Sequence, residues 1–153
     1  MNAPVNVLAQ AGEGSALTDY FAVVLPRQLK EQNALAVCWF ARPAGSPVRE
    51  LQKHASERLT DSVDEEFWFC PMHESESLWL KLKERGIAHF VLRQLKAGVT
   101  DNAASAVKQA LTIMGMQDFL LVATGTLYAG KSEIPKVSHN NLTERVKTYQ
   151  VSH

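Results

Sequence analysis

The sequence has little of what marks an exported or membrane-bound protein. No Lys or Arg precedes Arg27, so the positively charged start of a secretory signal peptide is missing. The longest uninterrupted apolar run, residues 34–41, is far shorter than the roughly 18–20 residues that cross a bilayer as a helix. The only two cysteines, Cys38 and Cys70, are too few for a disulfide framework. We therefore expect a soluble, cytoplasmic protein with free thiols and no membrane partner.

The chain also has no net charge, because sixteen Lys and Arg balance sixteen Asp and Glu. A surface built entirely for nucleic acid is therefore not expected. The balance hides an uneven distribution: residues 61–76 hold six acidic and no basic side chains, whereas residues 77–153 hold ten basic and five acidic ones. The length of 153 residues and the 46% of hydrophobic residues are typical of one globular domain.

Apolar periodicity predicts an α/β or α+β fold, with a mixed sheet of about five strands and about four helices packed on it. Residues 1–17 show no sustained period and are predicted to form a flexible arm before a single domain at 18–153. Strand and helix signals then alternate, which favours a sheet that is at least partly parallel. Strands are predicted at 20–25, 34–41, 66–72, 87–95 and 119–123, and helices at 26–32, 47–59, 75–85 and 101–116.

Three of these assignments leave an alternative open. Residues 19–32 also fit one longer helix with a kink at Pro26. Leu78, Leu80 and Leu82 alternate, so residues 75–85 also fit a strand. Residues 126–129 either continue the preceding strand or return as a hairpin. Beyond these three cases, residues 140–153 carry signals for a short helix and a strand.

Residues 125–132 read GTLYAGKS and match the G-x-x-x-x-G-K-[ST] pattern of phosphate-binding loops. In such a loop, backbone N–H groups from Gly125 to Gly130 cradle the phosphates, Lys131 reaches their β and γ oxygens, and Ser132 binds Mg²⁺. The context favours a strand end or a β-hairpin instead, because Pro135 follows where a long helix should begin. No cofactor is predicted.

Cys70 and His73 stand at a spacing that lets a thiolate and an imidazole reach one metal ion, or lets the imidazole activate the thiol. A closed zinc site needs four ligands, and the sequence contains no second pair of this kind. The simpler interpretation is a buried cysteine at a strand end and a histidine in the following loop. We predict no metal site, with this pair as the candidate to test.

The leading functional hypothesis is a non-catalytic protein-binding or regulatory module. No catalytic constellation is complete, and the aromatic-rich acidic stretch around Trp68 and Trp79 is typical of a surface that meets another protein or a second copy of the chain. Lys81, Lys83 and Arg85 follow directly and are assigned to the same surface. The alternative for both tryptophans is a place in the core.

Two other functions remain open from the sequence. One is a small enzyme or ligand binder that uses residues 125–132 or the Cys70 and His73 pair. The other is a nucleic-acid-binding accessory protein, for which the basic residues within 81–96 must share a face.

Overall fold

The computed structural model describes residues 17–95, 99–116, 119, 121–132 and 144–150. The predicted arm lies outside these ranges, apart from Leu17, which begins the first strand. Six strands, three α-helices and a 3₁₀ turn are found in the described part of the chain. In chain order they are β1 (Leu17–Pro26), β2 (Gln32–Pro43), α1 (Arg49–Leu59), β3 (Glu65–Pro71), the 3₁₀ turn (Met72–Glu74), α2 (Glu76–Glu84), β4 (His89–Leu95), α3 (Asn102–Ile113), β5 (Leu121–Gly130) and β6 (Glu144–Gln150).

The strands form one sheet in the order β3-β1-β2-β5-β4-β6, and each described pairing is antiparallel. The general expectation of helices packed on a sheet is confirmed, but the expectation of a partly parallel sheet is wrong for these strands. Helix α1 connects β2 to β3, and α2 connects β3 to β4, and these three strands do run in the same direction. Strands β1 and β5 run the opposite way and fill the spaces between them, so no two strands of the same direction become neighbours.

The helix expected at residues 26–32 is absent, which leaves three α-helices rather than about four. Pro26 ends β1, and the following loop is closed by Asn33, whose side chain accepts from the Lys30 N–H at 2.7 Å and donates to the Lys30 carbonyl at 2.9 Å. The longer kinked helix is excluded as well, because residues 17–26 are a strand. A proline φ of about −65° suits a strand end as well as a first helical turn, so the partner strands decide between them.

The other predicted elements are found close to their expected positions. Residues 75–85 form a helix rather than a strand, and α2 is followed by Gly86 with a φ of +93°, the left-handed conformation in which helices commonly end. Asp101 caps α3 by accepting from the Ala104 N–H at 2.8 Å. Residues 126–129 continue β5 instead of returning as a hairpin. The C-terminal strand signal corresponds to β6, and the short helix signal lies outside the described residues.

The sheet has a helix-covered core on each face. One face, here called the α2 face, packs Phe21, Val37 and Leu127 against α2. The opposite α1–α3 face packs Ala22, Phe40 and other residues against α1 and α3. Because strand side chains alternate between faces, both faces of β1 and β2 are apolar, which explains their nearly continuous hydrophobic sequence.

Candidate functional site

Strand β3 lies at one edge of the sheet. It pairs with β1 along its whole length, from Tyr20 opposite Pro71 to Pro26 opposite Glu65. Among the residues that the structure describes, no strand lies on its outer side. An edge of this kind presents main-chain donors and acceptors that another extended chain can pair with.

The register shows which main-chain groups of β3 point outward. The Arg27 N–H donates to the Asp64 carbonyl at 2.9 Å, immediately beyond the pairing of Pro26 with Glu65. In an antiparallel ladder the direction of the main-chain groups alternates along each strand. The N–H and C=O groups of alternate residues, Phe67 and Phe69 among them, therefore point away from β1.

The side chains of Phe67 and Phe69 form a half-buried aromatic shelf on the α1–α3 face. Their ring centroids are 5.9 Å apart, and Phe69 stacks on Tyr20 at 5.3 Å with an interplanar angle of 19°. Beside the shelf, a groove of about 340 Å³ separates Phe67 from the polar side of α1, where Arg49 and Lys53 line it. The shelf holds the edge in place, and the groove has room for a side chain from an adjacent strand.

Acidic side chains flank both ends of the β3 edge. Asp61 and Asp64 are exposed before the strand, and Glu74 and Glu76 are exposed after it. Glu66 is different, because Lys81 approaches it at 2.7 Å and Arg27 at 3.7 Å. The hydrogen bond from Lys81 holds the pKa of Glu66 below its ordinary value. Its charge is thus paired. The Arg27 guanidinium also donates to the carbonyls of Ser62 and Val63, so its charge partly offsets those of Asp61 and Asp64 at one end of the edge. At the other end, His73 lies 3.6 Å from Glu74.

The two tryptophans predicted for the partner surface lie mainly against the core of the α2 face. Trp79 stacks on Phe90 with ring centroids 4.5 Å apart, and Phe21 lies 6.3 Å from both Trp68 and Trp79. Both tryptophans are half-buried. They pack on the side of α2, whereas the groups that point outward at this edge are the main-chain groups of Phe67 and Phe69.

The basic residues predicted for the same surface have different environments. Lys81 pairs with Glu66, and Arg85 donates to the carbonyls of Pro26 and Arg27, the former at 2.9 Å. Lys83 is half-buried on α2. Arg85 therefore fastens α2 to the loop after β1.

The nucleic-acid hypothesis required basic residues within 81–96 to share a face. Lys81 and Lys83 belong to α2, which covers one face of the sheet, and Arg85 directly follows this helix. Arg93 lies on β4 opposite Thr126, in the row of side chains that points to the α1–α3 face. The sheet separates the two groups, and Lys96 lies outside the described residues.

The segment that matches a phosphate-binding loop is largely a strand. Residues 125–130 belong to β5 and pair with β2 on one side and β4 on the other, so their main-chain groups form the hydrogen bonds of the sheet. A Cβ at Gly125 would lie 2.8 Å from the Arg93 carbonyl oxygen and 3.1 Å from the Trp39 ring. Gly125 is thus a close-packing glycine. Beyond the strand, the Lys131 N–H donates to the Glu31 carbonyl at 3.0 Å, and the Ser132 hydroxyl donates to the Glu31 carboxylate.

The Cys70 and His73 pair does not show the features of an activated thiol. Burial, with a contribution from Glu74, raises the pKa of Cys70 to about 11, and the thiol donates to the Pro71 carbonyl at 3.1 Å. His73 is 77% exposed and lies 3.6 Å from Glu74. Within the described ranges, no group of three or more His, Cys, Asp or Glu side chains is arranged to hold a metal ion.

Both cysteines are free. Strand β1 separates them, with Ala22 opposite Cys38 and Phe21 opposite Cys70. Two strand spacings of about 4.8 Å place their backbones beyond the separation of about 7 Å that a disulfide permits.

Comparison with known proteins adds no relative to this picture. A scan against protein-family models and searches of the curated proteins and of the solved structures find no match to the chain. None of the helices in the described ranges is long and apolar enough to cross a membrane.

The outward-facing residues of β3 were missed from the sequence. The run Glu65–Pro71 carries apolar side chains on both faces, which is also typical of a central strand. Only the acidic residues on either side of this run distinguished it from a central strand. They predicted a surface that contacts a partner, but they did not show which main-chain groups of β3 point outward. The order of strands in the sheet is the missing information.

Proposed function

We propose that this protein is a non-catalytic binding module that accepts an extended segment of a partner protein as an added strand beside β3. The observation that carries the proposal is the outward direction of the Phe67 and Phe69 main-chain groups at a sheet edge. Main-chain pairing of this kind supplies affinity, and pockets for alternate side chains supply specificity.

The charges at the edge favour a particular partner sequence. Basic side chains at both ends of the incoming strand would face Asp61 and Asp64 at one end and Glu74 and Glu76 at the other. A central acidic or amide side chain on the α1 side would enter the groove beside Arg49. The expected ligand therefore has Lys or Arg at its ends and a polar residue, directed toward α1, near its middle.

A second copy of the chain fits the edge less well. In a two-fold antiparallel pairing of β3 with itself, the acidic residues before the strand in one copy would lie near those after the strand in the other. Like charges directly opposite one another destabilise such a pairing. Charge complementarity thus favours a different protein over self-association.

The test uses proline to remove one outward N–H without breaking the ladder to β1. Phe69→Pro and the matched variant Phe69→Ala lose the same aromatic ring, but only the alanine variant keeps the N–H. We would select extended peptides from a display library against the wild type and then measure their binding to both variants. We expect peptides with basic ends that bind the alanine variant and lose about tenfold or more of their affinity for the proline variant.

Two controls make this result interpretable. Urea unfolding should show that the two variants differ in stability by no more than about 1 kcal/mol, because the lost N–H is not bonded to β1. Sedimentation should show whether the protein alone self-associates. Equal peptide binding by both folded variants, or selection of peptides without basic ends, contradicts the proposal.

A further inference from the structure

Four polar side chains from one side of α1 line the groove beside the β3 edge. They stand at positions i, i+3, i+4 and i+7 of the helix, the spacing that places side chains on the same side: Arg49, Gln52, Lys53 and Ser56. Phe67 of β3 stands across the groove from them. Each of the four helix side chains can donate hydrogen bonds, and two of them carry a positive charge. The described walls of the groove are therefore rich in donors for an anion.

The two positive charges of the groove lie one helical turn apart. At the spacing of Arg49 and Lys53, like charges destabilise a helix. Both side chains are exposed, and no acidic side chain among the residues that the structure describes forms an ion pair with either. The acids of α1, Glu50 and Glu57, do not line the groove, and Glu57 lies 3.8 Å from His54. An anion bound between the two cations would relieve their repulsion.

Strand pairing at β3 directs a partner side chain toward this groove. In an antiparallel pair, residues directly opposite one another point to the same face of the sheet, with Cβ atoms about 5 Å apart. The Phe67 side chain lies on the α1–α3 face and lines the groove. The partner residue opposite Phe67 therefore points to the same face, beside the polar side of α1.

A phosphorylated side chain matches these donors better than a carboxylate does. A phosphoserine carries about −1.5 to −2 charges near neutral pH and three acceptor oxygens, whereas a carboxylate carries a single charge and two oxygens. The guanidinium of Arg49 can donate to two oxygens at once, and the ammonium of Lys53 can donate to the third. The Gln52 amide and the Ser56 hydroxyl add neutral donors. Two cations with neutral donors beside them thus correspond to the charge and the acceptors of one phosphate.

We infer that the groove binds a phosphoserine or phosphothreonine side chain of the partner strand, at the position opposite Phe67, so that phosphorylation of the partner strengthens its pairing with β3. This inference rests on the proposed strand pairing and narrows the central polar residue of the partner to a phosphorylated one. An unmodified hydroxyl at this position leaves Arg49 and Lys53 without an anion, so the unphosphorylated partner binds more weakly.

The test compares three synthetic peptides of sequence KRTVXVTRK, in which X is serine, phosphoserine or glutamate. The sequence reads the same in both directions, so X stays central whichever way the peptide runs. Fluorescence anisotropy measures the binding of each labelled peptide to the whole protein at one fixed ionic strength. Arg49→Gln and Lys53→Gln each remove one positive charge from the groove. Arg58→Gln is the matched control, because Arg58 is an exposed cation of the same helix that does not line the groove.

We expect the wild type to bind the phosphoserine peptide about tenfold or more tightly than the serine peptide, with the glutamate peptide in between. Arg49→Gln and Lys53→Gln should each reduce the gain from phosphorylation to about threefold or less, whereas Arg58→Gln should leave it unchanged within about twofold. Arg49→Lys should keep part of the gain, because it retains the charge but not the planar pair of donors. These positions are exposed, so circular dichroism should show that the variants fold like the wild type.

Three outcomes would overturn this inference. The first is binding of the phosphoserine peptide no tighter than that of the serine peptide. The second is equal binding of the glutamate and phosphoserine peptides, which would mean that the groove recognises a single negative charge. The third is an equal loss of affinity from Arg58→Gln and Arg49→Gln, which would mean that the charges attract the peptide without a defined site.

The variants of Phe69 separate these outcomes from a failure of the proposed function. If the serine peptide binds Phe69→Ala more tightly than Phe69→Pro but phosphorylation adds nothing, strand pairing is supported and only this inference fails. If the phosphoserine peptide binds both variants equally and still requires Arg49, the phosphate is bound without strand pairing. That result contradicts the proposed function and overturns the inference that rests on it.

Discussion

Replacing Gly125 with alanine tests whether this glycine is needed for packing. The added Cβ would lie 2.8 Å from the Arg93 carbonyl oxygen and 3.1 Å from two carbons of the Trp39 ring. The carbonyl belongs to β4, which pairs with β5, and Trp39 is only 3% exposed, so neither can move away freely. Overpacking of a well-filled core costs about 1–3 kcal/mol, and we expect the upper part of that range.

For a chain of this length, each 1 kcal/mol lowers Tm by about 2–4 °C, so Gly125→Ala should lower it by roughly 5–10 °C. Circular dichroism during heating, together with urea unfolding at fixed temperature, measures both quantities. Lys131→Ala, in the same sequence motif, is the control and should change stability by less than about 0.5 kcal/mol. Adding Trp39→Phe should produce a coupling of about 0.5 kcal/mol or more, because the smaller ring relieves part of the contact.

The packing explanation is refuted if Gly125→Ala lowers Tm by less than about 2 °C. It is also refuted if the effects of Gly125→Ala and Trp39→Phe simply add. A variant that folds as well as the wild type but loses a nucleotide-dependent rise in Tm would instead support the phosphate-binding hypothesis.

The other predictions concern single side chains. Asp101→Ala should lower the free energy of unfolding by about 2–3 kcal/mol, since it removes a helix cap and leaves the Thr124 N–H without its acceptor; a loss below about 1 kcal/mol in urea would contradict this. Glu66 has a lowered pKa, so its contribution is present above the unfolded pKa and is lost as pH falls through the folded one. At 34% exposure, Glu66→Gln should cost less than about 1 kcal/mol near neutral pH, and a difference from the wild type that grows toward acid pH would show the sign to be wrong. Because the pKa values of Cys38 and Cys70 are raised to about 12 and 11, both thiols should react slowly with iodoacetamide at pH 7.5 and rapidly in urea; fast native modification of Cys70, seen by mass spectrometry, would revive thiol chemistry there.

Local signals were sufficient to predict much of the secondary structure. The apolar spacing of α1, the Asp101 cap of α3 and Gly86 after α2 each specify a feature within a few residues. The doubly apolar run around Val37 likewise predicted a strand covered on both faces, as β2 is over residues 37–42. These signals depend only on neighbouring residues in the sequence, so they can be recognised without knowing the fold.

Strand direction and position could not be read in the same way. A β-α-β alternation shows that two strands run in the same direction, but β1 and β5 occupy the places between such strands. Pro26 suits both a helix start and a strand end, and the pairing of β1 with its neighbours decided the outcome. The candidate edge depends on the same nonlocal information, which is why Phe67 was not among the residues predicted for the partner surface.

The two ends of the β3 edge lack free N–H donors, whereas its central residues have N–H groups that point outward. Pro71 offers no N–H at one end, and the Glu65 N–H at the other already donates to the Asp61 carbonyl at 2.8 Å. Proline and charged residues at strand edges oppose uncontrolled sheet extension. Between these ends, Phe67 and Phe69 keep outward N–H groups, and their rings stack on one another and on Tyr20. An edge that only resists pairing is expected to have a charged residue or a proline at these central positions. In β3 these residues lie at the ends instead, which favours the proposal that β3 pairs with a short, selected strand.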